Sequence, residues 1–316
     1  MRNILNINSD WMLSTEKRAD NKSVHKRILP LNKEDEYCYY LELLGASSSM
    51  EVFMNQEKIG THNGIYTLYR IDVTDYIVNG DNELDIVCDG EVPCLDASLI
   101  IVGKYHFSLD NFGDAGLTVI PQEISSSSAS IRILASAKDL PEDAMISYTV
   151  LTTTGTMLAN KSVPATTPEY ICRLTNPCLW NGKTSPKLYV VVAGLIVNGT
   201  IEDQIVLPFG LRNLKMESGS NITVNGLCIP ENDLVHILES DPFVYDDMDE
   251  DGTFACVELK ELCNLSTDEA DCKNLLTEYV LQNAYHPSIL CWKLPEEHAD
   301  FATLLRELDS TRPVLF

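Results

Sequence analysis

Five short runs rich in β-branched and aromatic residues follow one another between Tyr37 and about Phe107, and no other feature constrains the fold as tightly. They span residues 37–43, 50–54, 67–71, 83–87 and 98–102. Turn residues such as Asn79-Gly80-Asp81-Asn82 separate them. Runs of this length, punctuated by Gly, Asn and Asp, read as strands rather than helices. The segment is expected to be an all-β sandwich. A second β-rich block runs from about Gly116 to Arg212, with runs at 130–135, 145–151 and 187–192. Their spacing suits an immunoglobulin-like sandwich. Ser125-Ser126-Ser127-Ser128 is short enough to be a loop within it.

After Ser218 the pattern changes. Ser266-Thr267-Asp268-Glu269 has the form of a capping box. It precedes Leu275, Leu276, Tyr279, Val280 and Ala284 on one helical face. A second helix is predicted to carry Phe301, Leu304, Leu305 and Leu308. Between the two, Ile289-Leu290-Cys291-Trp292 is a short apolar run suited to a buried parallel strand. Strands alternating with helices predict an α/β tail of about 100 residues. The chain of 316 residues is too long for one ordinary domain. The expected fold class is multidomain, β followed by α/β, with boundaries at 1–108, 109–217 and 218–316.

A net charge of −24 repels phosphate backbones and anionic lipid, so neither nucleic acid nor a membrane is an expected partner. The acidity is concentrated: residues 231–271 hold fourteen Asp or Glu against one basic residue, Lys260. Such a block keeps a surface soluble more often than it builds a site. No run of 18 apolar residues is present, and the N-terminus lacks the apolar core of a signal peptide, so a cytoplasmic protein is expected. The ten cysteines include no Cys-x-x-Cys pair, and most stand in apolar strand-like runs, where Cys acts as a small hydrophobe.

One motif is complete by its letters. Asp247, Asp249 and Asp251, then Gly252 and Glu258, match the calcium-loop pattern D-x-D-x-D-G-x₅-E. These residues are the candidate metal ligands, and calcium is the one ion that the sequence suggests; no other cofactor is expected. Against a helix-loop-helix calcium site, Pro242 interrupts the incoming helix and 253–257 reads as a strand.

Several segments resemble a known family. Met54-Asn55-Gln56-Glu57-Lys58-Ile59-Gly60-Thr61-His62-Asn63-Gly64-Ile65-Tyr66 looks like a V-N-G-x-x-V-G-x-H-x-G-G-Y hairpin. Pro177-Cys178-Leu179-Trp180, Ser185-Pro186-Lys187-Leu188-Tyr189 and Phe209-Gly210-Leu211-Arg212 resemble P-x-L-W, P-x-L-Y and F-G-x-R. His286-Pro287-Ser288-Ile289 through Glu297, and Leu308-Asp309-Ser310-Thr311-Arg312-Pro313-Val314, complete the series. In this order they resemble glycoside hydrolase family 2, the β-galactosidase and β-glucuronidase family. The resemblance implies a jelly roll, an immunoglobulin-like sandwich and a (β/α)₈ TIM barrel, the last incomplete in this sequence.

It also implies roles. Glu297 stands at the acid/base position, with Glu296 where the family has Asn and Lys293 where it has a small residue. Glu258 falls on the family's Asp-Glu pair and is a candidate substrate contact. Trp292, in a strand that must fill a core, reads most simply as a packing anchor, with an aromatic face for a sugar as the alternative. Residues 234–242 lie where the family carries its substrate-site Arg and His, and neither is present in that pattern. A retaining glycosidase needs two carboxylates about 5–5.5 Å apart. The segment that would bring the nucleophile is not in this sequence. The resemblance therefore predicts a catalytically inactive, truncated relative, a pseudoenzyme that binds carbohydrate or protein. The alternative is an active exo-β-glycosidase completed by another subunit. An open half-barrel exposes strand edges, which predicts packing on the middle sandwich, a homodimer or a partner subunit.

Overall fold

The computed structural model describes residues 2–14, 22–45, 49–89, 93–109, 116–217, 221–241 and 243–316. Alternating burial along each strand builds the first sandwich. In Met50–Met54 the side chains of Met50, Val52 and Met54 are buried and those between them are half-covered, as a period of two requires. This strand lies in a five-stranded sheet, in the order Met12–Leu13, Ser23–Leu31, Gly80–Cys88, Met50–Met54, Glu57–His62. A four-stranded sheet of Asn3–Asn6, Cys94–Gly103, Tyr37–Gly45 and Leu68–Asp72 faces it. All pairings are antiparallel. Leu41, Leu43, Val52, Leu84, Ile86 and Leu99 fill the space between the sheets with no solvent exposure. The hairpin at Asn55 and Gln56 has φ of 51° and 72° at its two central residues, the two-residue turn whose twist matches that of its strands.

The second sandwich repeats the scheme. Leu117–Gln122, Ser128–Ala135 and Glu169–Thr175 form one sheet; Met157–Pro164, Met145–Thr152, Leu188–Val197 and Thr200–Gly210 form the other. Its core includes Ile131, Ile133, Tyr148, Val150, Val191 and Leu195. The tyrosine is tolerated there because its hydroxyl is satisfied, accepting from the Ala135 amide at 3.0 Å and donating to the Pro168 carbonyl. A small antiparallel sheet follows, Leu214–Met216, Ile222–Val224 and Leu227–Ile229. Asn225-Gly226 is the turn of its second hairpin, with φ of 52° and 82°.

The tail is a four-stranded parallel sheet of β1 (Leu234–Ile237), β2 (Phe254–Glu258), β3 (Ile289–Lys293) and β4 (Val314–Leu315), in that order. Helices α1 (Phe243–Asp251), α2 (Lys260–Cys263), α3 (Glu269–Asn283) and α4 (Ala302–Leu308) connect the strands. Leu259, Leu262, Leu276, Tyr279, Val280, Trp292 and Leu305 form the core on the helical side. On the other side Cys256, Leu290 and Cys291 pack on Trp180, Ile222 and Val224, so the middle sandwich and its hairpin cover part of the sheet. Among the described residues, no helix is long and apolar enough to cross a membrane.

The capping box expected at Ser266 is displaced by two residues. The N-cap is Asp268, whose carboxylate accepts from the Ala270 and Asp271 amides at 2.9 and 3.0 Å. A carboxylate at this position satisfies two orphan donors and faces the positive end of the helix, which a hydroxyl does less well. Ser266 instead accepts from the Asp268 amide at 3.1 Å and orients the cap.

Close contacts dock the tail on both sandwiches. The Gln282 side chain brackets Leu68, accepting from its amide and donating to its carbonyl, each at 2.9 Å. Glu278 receives Thr67 Oγ1 and pairs with His62 Nε2, each at 3.0 Å. Trp180 Nε1 donates to the Asp249 carbonyl at 2.8 Å. At Gly252, φ is +77° and a Cβ would sit 2.2 Å from the Gly182 carbonyl carbon, so this close approach admits glycine alone.

Candidate functional site

Parallel strands in register bring three charged residues together at one end of the tail sheet. His236 is on β1, Glu258 on β2 and Lys293 on β3, and Glu258 and Lys293 are direct partners across the β2–β3 ladder. Glu258 Oε1 accepts from Lys293 Nζ at 3.0 Å and pairs with His236 Nδ1 at 2.9 Å. Side-chain exposures are 33% for His236, 43% for Glu258 and 36% for Lys293, so solvent and ligands reach the cluster. The Lys293 ammonium, and after it His236, holds the Glu258 carboxyl below its usual range, and Glu258 in turn raises Lys293. The cluster sits at the carboxyl ends of parallel strands, where open α/β sheets and barrels place their ligands.

Glu296 and Glu297 follow β3 directly. They lie in a short 3₁₀ segment, Glu296–Phe301, that begins after Pro295 and leads into α4. Both are exposed. The Glu258 carboxylate is engaged by Lys293 and His236.

Trp292 does not line a sugar site. It has no solvent exposure and points to the helical side. Its Nε1 donates to Asp309 Oδ2 at 2.9 Å, Tyr279 packs edge-on with centroids 6.4 Å apart, and the Arg312 guanidinium lies 5.7 Å from its ring. Adjacent residues on a strand point to opposite faces, so the residue beside Lys293 is committed to the core. Burial alone would raise the Asp309 carboxyl; Arg312, then Thr311 and Trp292, outweigh it and hold the group at about 2.

The calcium-loop pattern does not form a loop. Asp247, Asp249 and Asp251 belong to α1, whose 100° per residue turns successive carboxylates in different directions. Asp249 is buried and accepts from the Ser288 amide at 2.8 Å, with His286 Nδ1 at the same distance. Asp251 caps the Thr253 amide at 2.8 Å. Glu258, the twelfth position of the pattern, is held by Lys293. What converges instead is Asp246, Asp249 and His286, whose candidate ligand atoms lie within 4.8 Å of one another. Burial raises the Asp246 carboxyl. Both Asp249 oxygens are engaged by protein donors, which marks this group as an anchor of α1 on the β3 entry.

Sequence reasoning named Glu258 and missed its two partners. The signal was present in the pairing: β1, β2 and β3 end within one residue of each other in register, so polar residues at their carboxyl ends must meet. It also missed the buried Trp292–Asp309–Arg312 network, which carries the Asp and Arg of Leu308-Asp309-Ser310-Thr311-Arg312.

Comparison with known proteins agrees with this architecture. The family model described as Glycosyl hydrolases family 2 matches residues 109–212, the middle sandwich. A curated β-glucuronidase of Bacteroides fragilis is 22% identical over 354 residues, covering 87% of this chain and 51% of that protein. A Formosa agariphila protein with a β-glucuronidase name is 24% identical over 328 residues, covering 86% and 39%. The chain thus spans between 39% and 51% of the length of these relatives. Among solved structures, an FMN-binding β-glucuronidase from Facaelibacterium prausnitzii L2-6 superposes with a TM-score of 0.87 at 22% identity, over 99% of this chain and 63% of that one. A Bacteroides uniformis β-glucuronidase gives 0.81 at 18%, over 99% and 52%.

Proposed function

We propose, for a chain that is a relative of glycoside hydrolase family 2, that its own residues bind carbohydrate at the carboxyl ends of β1–β3 and do not cleave it. The finer architecture of this proposal is a jelly roll over 1–108, an immunoglobulin-like sandwich over 109–217 and a partial (β/α) barrel over 218–316. One observation carries it: Glu258 is held by Lys293 and His236 while Glu296 and Glu297 stand exposed on the following turn. A retaining mechanism needs one carboxyl to deliver a proton and a second to attack from about 5–5.5 Å away. A carboxylate paired with the Lys293 ammonium and hydrogen-bonded to His236 is a poor nucleophile, yet together with them it forms a row of donors and acceptors suited to sugar hydroxyls. Strand edges at β1 and β4 are the places where a second copy or a partner chain would add to the sheet.

A second reading is favoured by the position of Glu297, one turn beyond β3 and open to solvent. There it is an acid/base in waiting, and a nucleophile brought from another segment or subunit makes an active exo-β-glycosidase. Aryl β-glucuronides and β-galactosides decide between the two. Saturable binding without turnover, weakened in Lys293→Met, is the expected result. Turnover that disappears in Glu297→Gln overturns it in favour of the enzyme.

A further inference from the structure

Two arginines meet at the amino-terminal end of the tail sheet, beside a cavity that Asp309 also lines. Arg212 leaves the last strand of the middle sandwich, and its Nη2 donates to the Ile289 carbonyl at 2.6 Å. Arg312 precedes β4, and its Nε donates to the same oxygen, also at 2.6 Å. Arg312 is fully used: it also reaches the carbonyls of Ala284 and His286 and the carboxylate of Asp309. Arg212 is not. Its Nε is sealed from solvent and has no acceptor among the described residues. Asp309 and Asp249 are the carboxylates that act on it, and Arg312 and His286 already hold them. Burial, and then the neighbouring Arg312, pull the Arg212 guanidinium down to about 9. A half-buried cation whose nearby carboxylates are held by other groups is under-compensated, and an orphaned buried donor requires an explanation.

Both arginines line a cavity of about 460 Å³ between the middle sandwich and the amino-terminal side of the tail sheet. Gln122, Asn213, Ser310 and Thr311 supply further polar groups, and Val119 and Leu281 an apolar wall. Glu123 also lines it but is exposed. The cavity opens beside Ser310–Arg312, at the start of β4, whereas the His236–Glu258–Lys293 cluster lies at the opposite ends of the strands.

We infer that this cavity is a binding site for a small organic oxyanion, a phosphate ester or a carboxylate, with Arg212 as its counter-ion. The planar guanidinium suits bidentate recognition of either group. The volume and the apolar wall favour an anion carrying a ring or short chain over a bare inorganic ion.

The test uses the full chain, with thermal shift and calorimetry in phenyl phosphate, benzoate and inorganic phosphate against sodium chloride at matched ionic strength. Saturable stabilisation by phenyl phosphate or benzoate, exceeding that by inorganic phosphate, is expected; which of the two binds tighter identifies the headgroup. Arg212→Gln is expected to weaken binding at least tenfold, and Lys161→Met, an exposed cation elsewhere on the middle sandwich, to leave it unchanged. Ser310→Glu sits on an exposed part of the wall and leaves the buried network in place. Its carboxylate should abolish binding and raise the melting temperature in anion-free buffer. Shifts no larger than those in chloride, or unaltered affinity in folded Arg212→Gln and Ser310→Glu, overturn the inference.

Discussion

Trp292 and Lys293 are neighbours on one strand, and each is bonded to a carboxylate, yet the two ends of that comparison behave as different materials. On the helical side, Asp309 is 4% exposed and accepts from Trp292, Thr311 and Arg312. On the other side, Glu258 keeps 43% of its side chain in solvent while bonded to Lys293 and His236. In the dry network every lone pair has a fixed donor, so loss of one partner strands a buried charge. In the wet cluster water replaces whatever is removed. The same ion-pair chemistry is thus structural on one face and available for a ligand on the other, and burial alone makes the difference.

The largest expected effect breaks the dry side. Asp309→Ala leaves Arg312 without its carboxylate and should cost about 3–5 kcal/mol in urea unfolding. Acid provides a second attack on the same group. The folded Asp309 carboxyl, at about 2, lies below its ordinary value of 3.8. Its contribution is therefore complete above the ordinary value and is lost as pH falls through about 2. That linkage amounts to about 2 kcal/mol, and Asp309→Asn should flatten the stability profile in this window. Trp292→Phe removes one donor and keeps most of the ring, for an expected loss of about 1–2 kcal/mol. The smallest effect belongs to the wet side. Lys293→Met should change unfolding free energy by no more than about 1 kcal/mol while weakening sugar binding. A loss comparable to that of Asp309→Ala would erase the distinction between the two faces.

The strands of both sandwiches were legible because period-two burial is a local property: Met50, Val52 and Met54 announce their face without knowing their partners. The tail's strand–helix alternation was legible for the same reason, through Leu275, Leu276, Tyr279 and Val280. The site was legible only in part. Glu258 falls in the cluster at the strand ends and Glu297 on the turn after β3, whereas Trp292, read as a packing anchor or a sugar-site residue, is buried in the core together with Ile289, Leu290 and Cys291. The calcium pattern is matched in its letters alone: Asp247, Asp249 and Asp251 lie on α1, the strand-like run at 253–257 falls largely within β2, and Asp249 pairs with His286, 37 positions away.

Sequence alone determined the order of strands, turns and helices and the family likeness, since these depend on side-chain periodicity and on short motifs. Tertiary structure alone decided which charges meet: His236 with Glu258 and Lys293, Asp249 with His286, Arg212 with Arg312 and the cavity beside them. The physical reason is range. Burial pattern is written within a few neighbouring residues, whereas the energy of a charge depends on partners and solvent that only the folded chain brings to it.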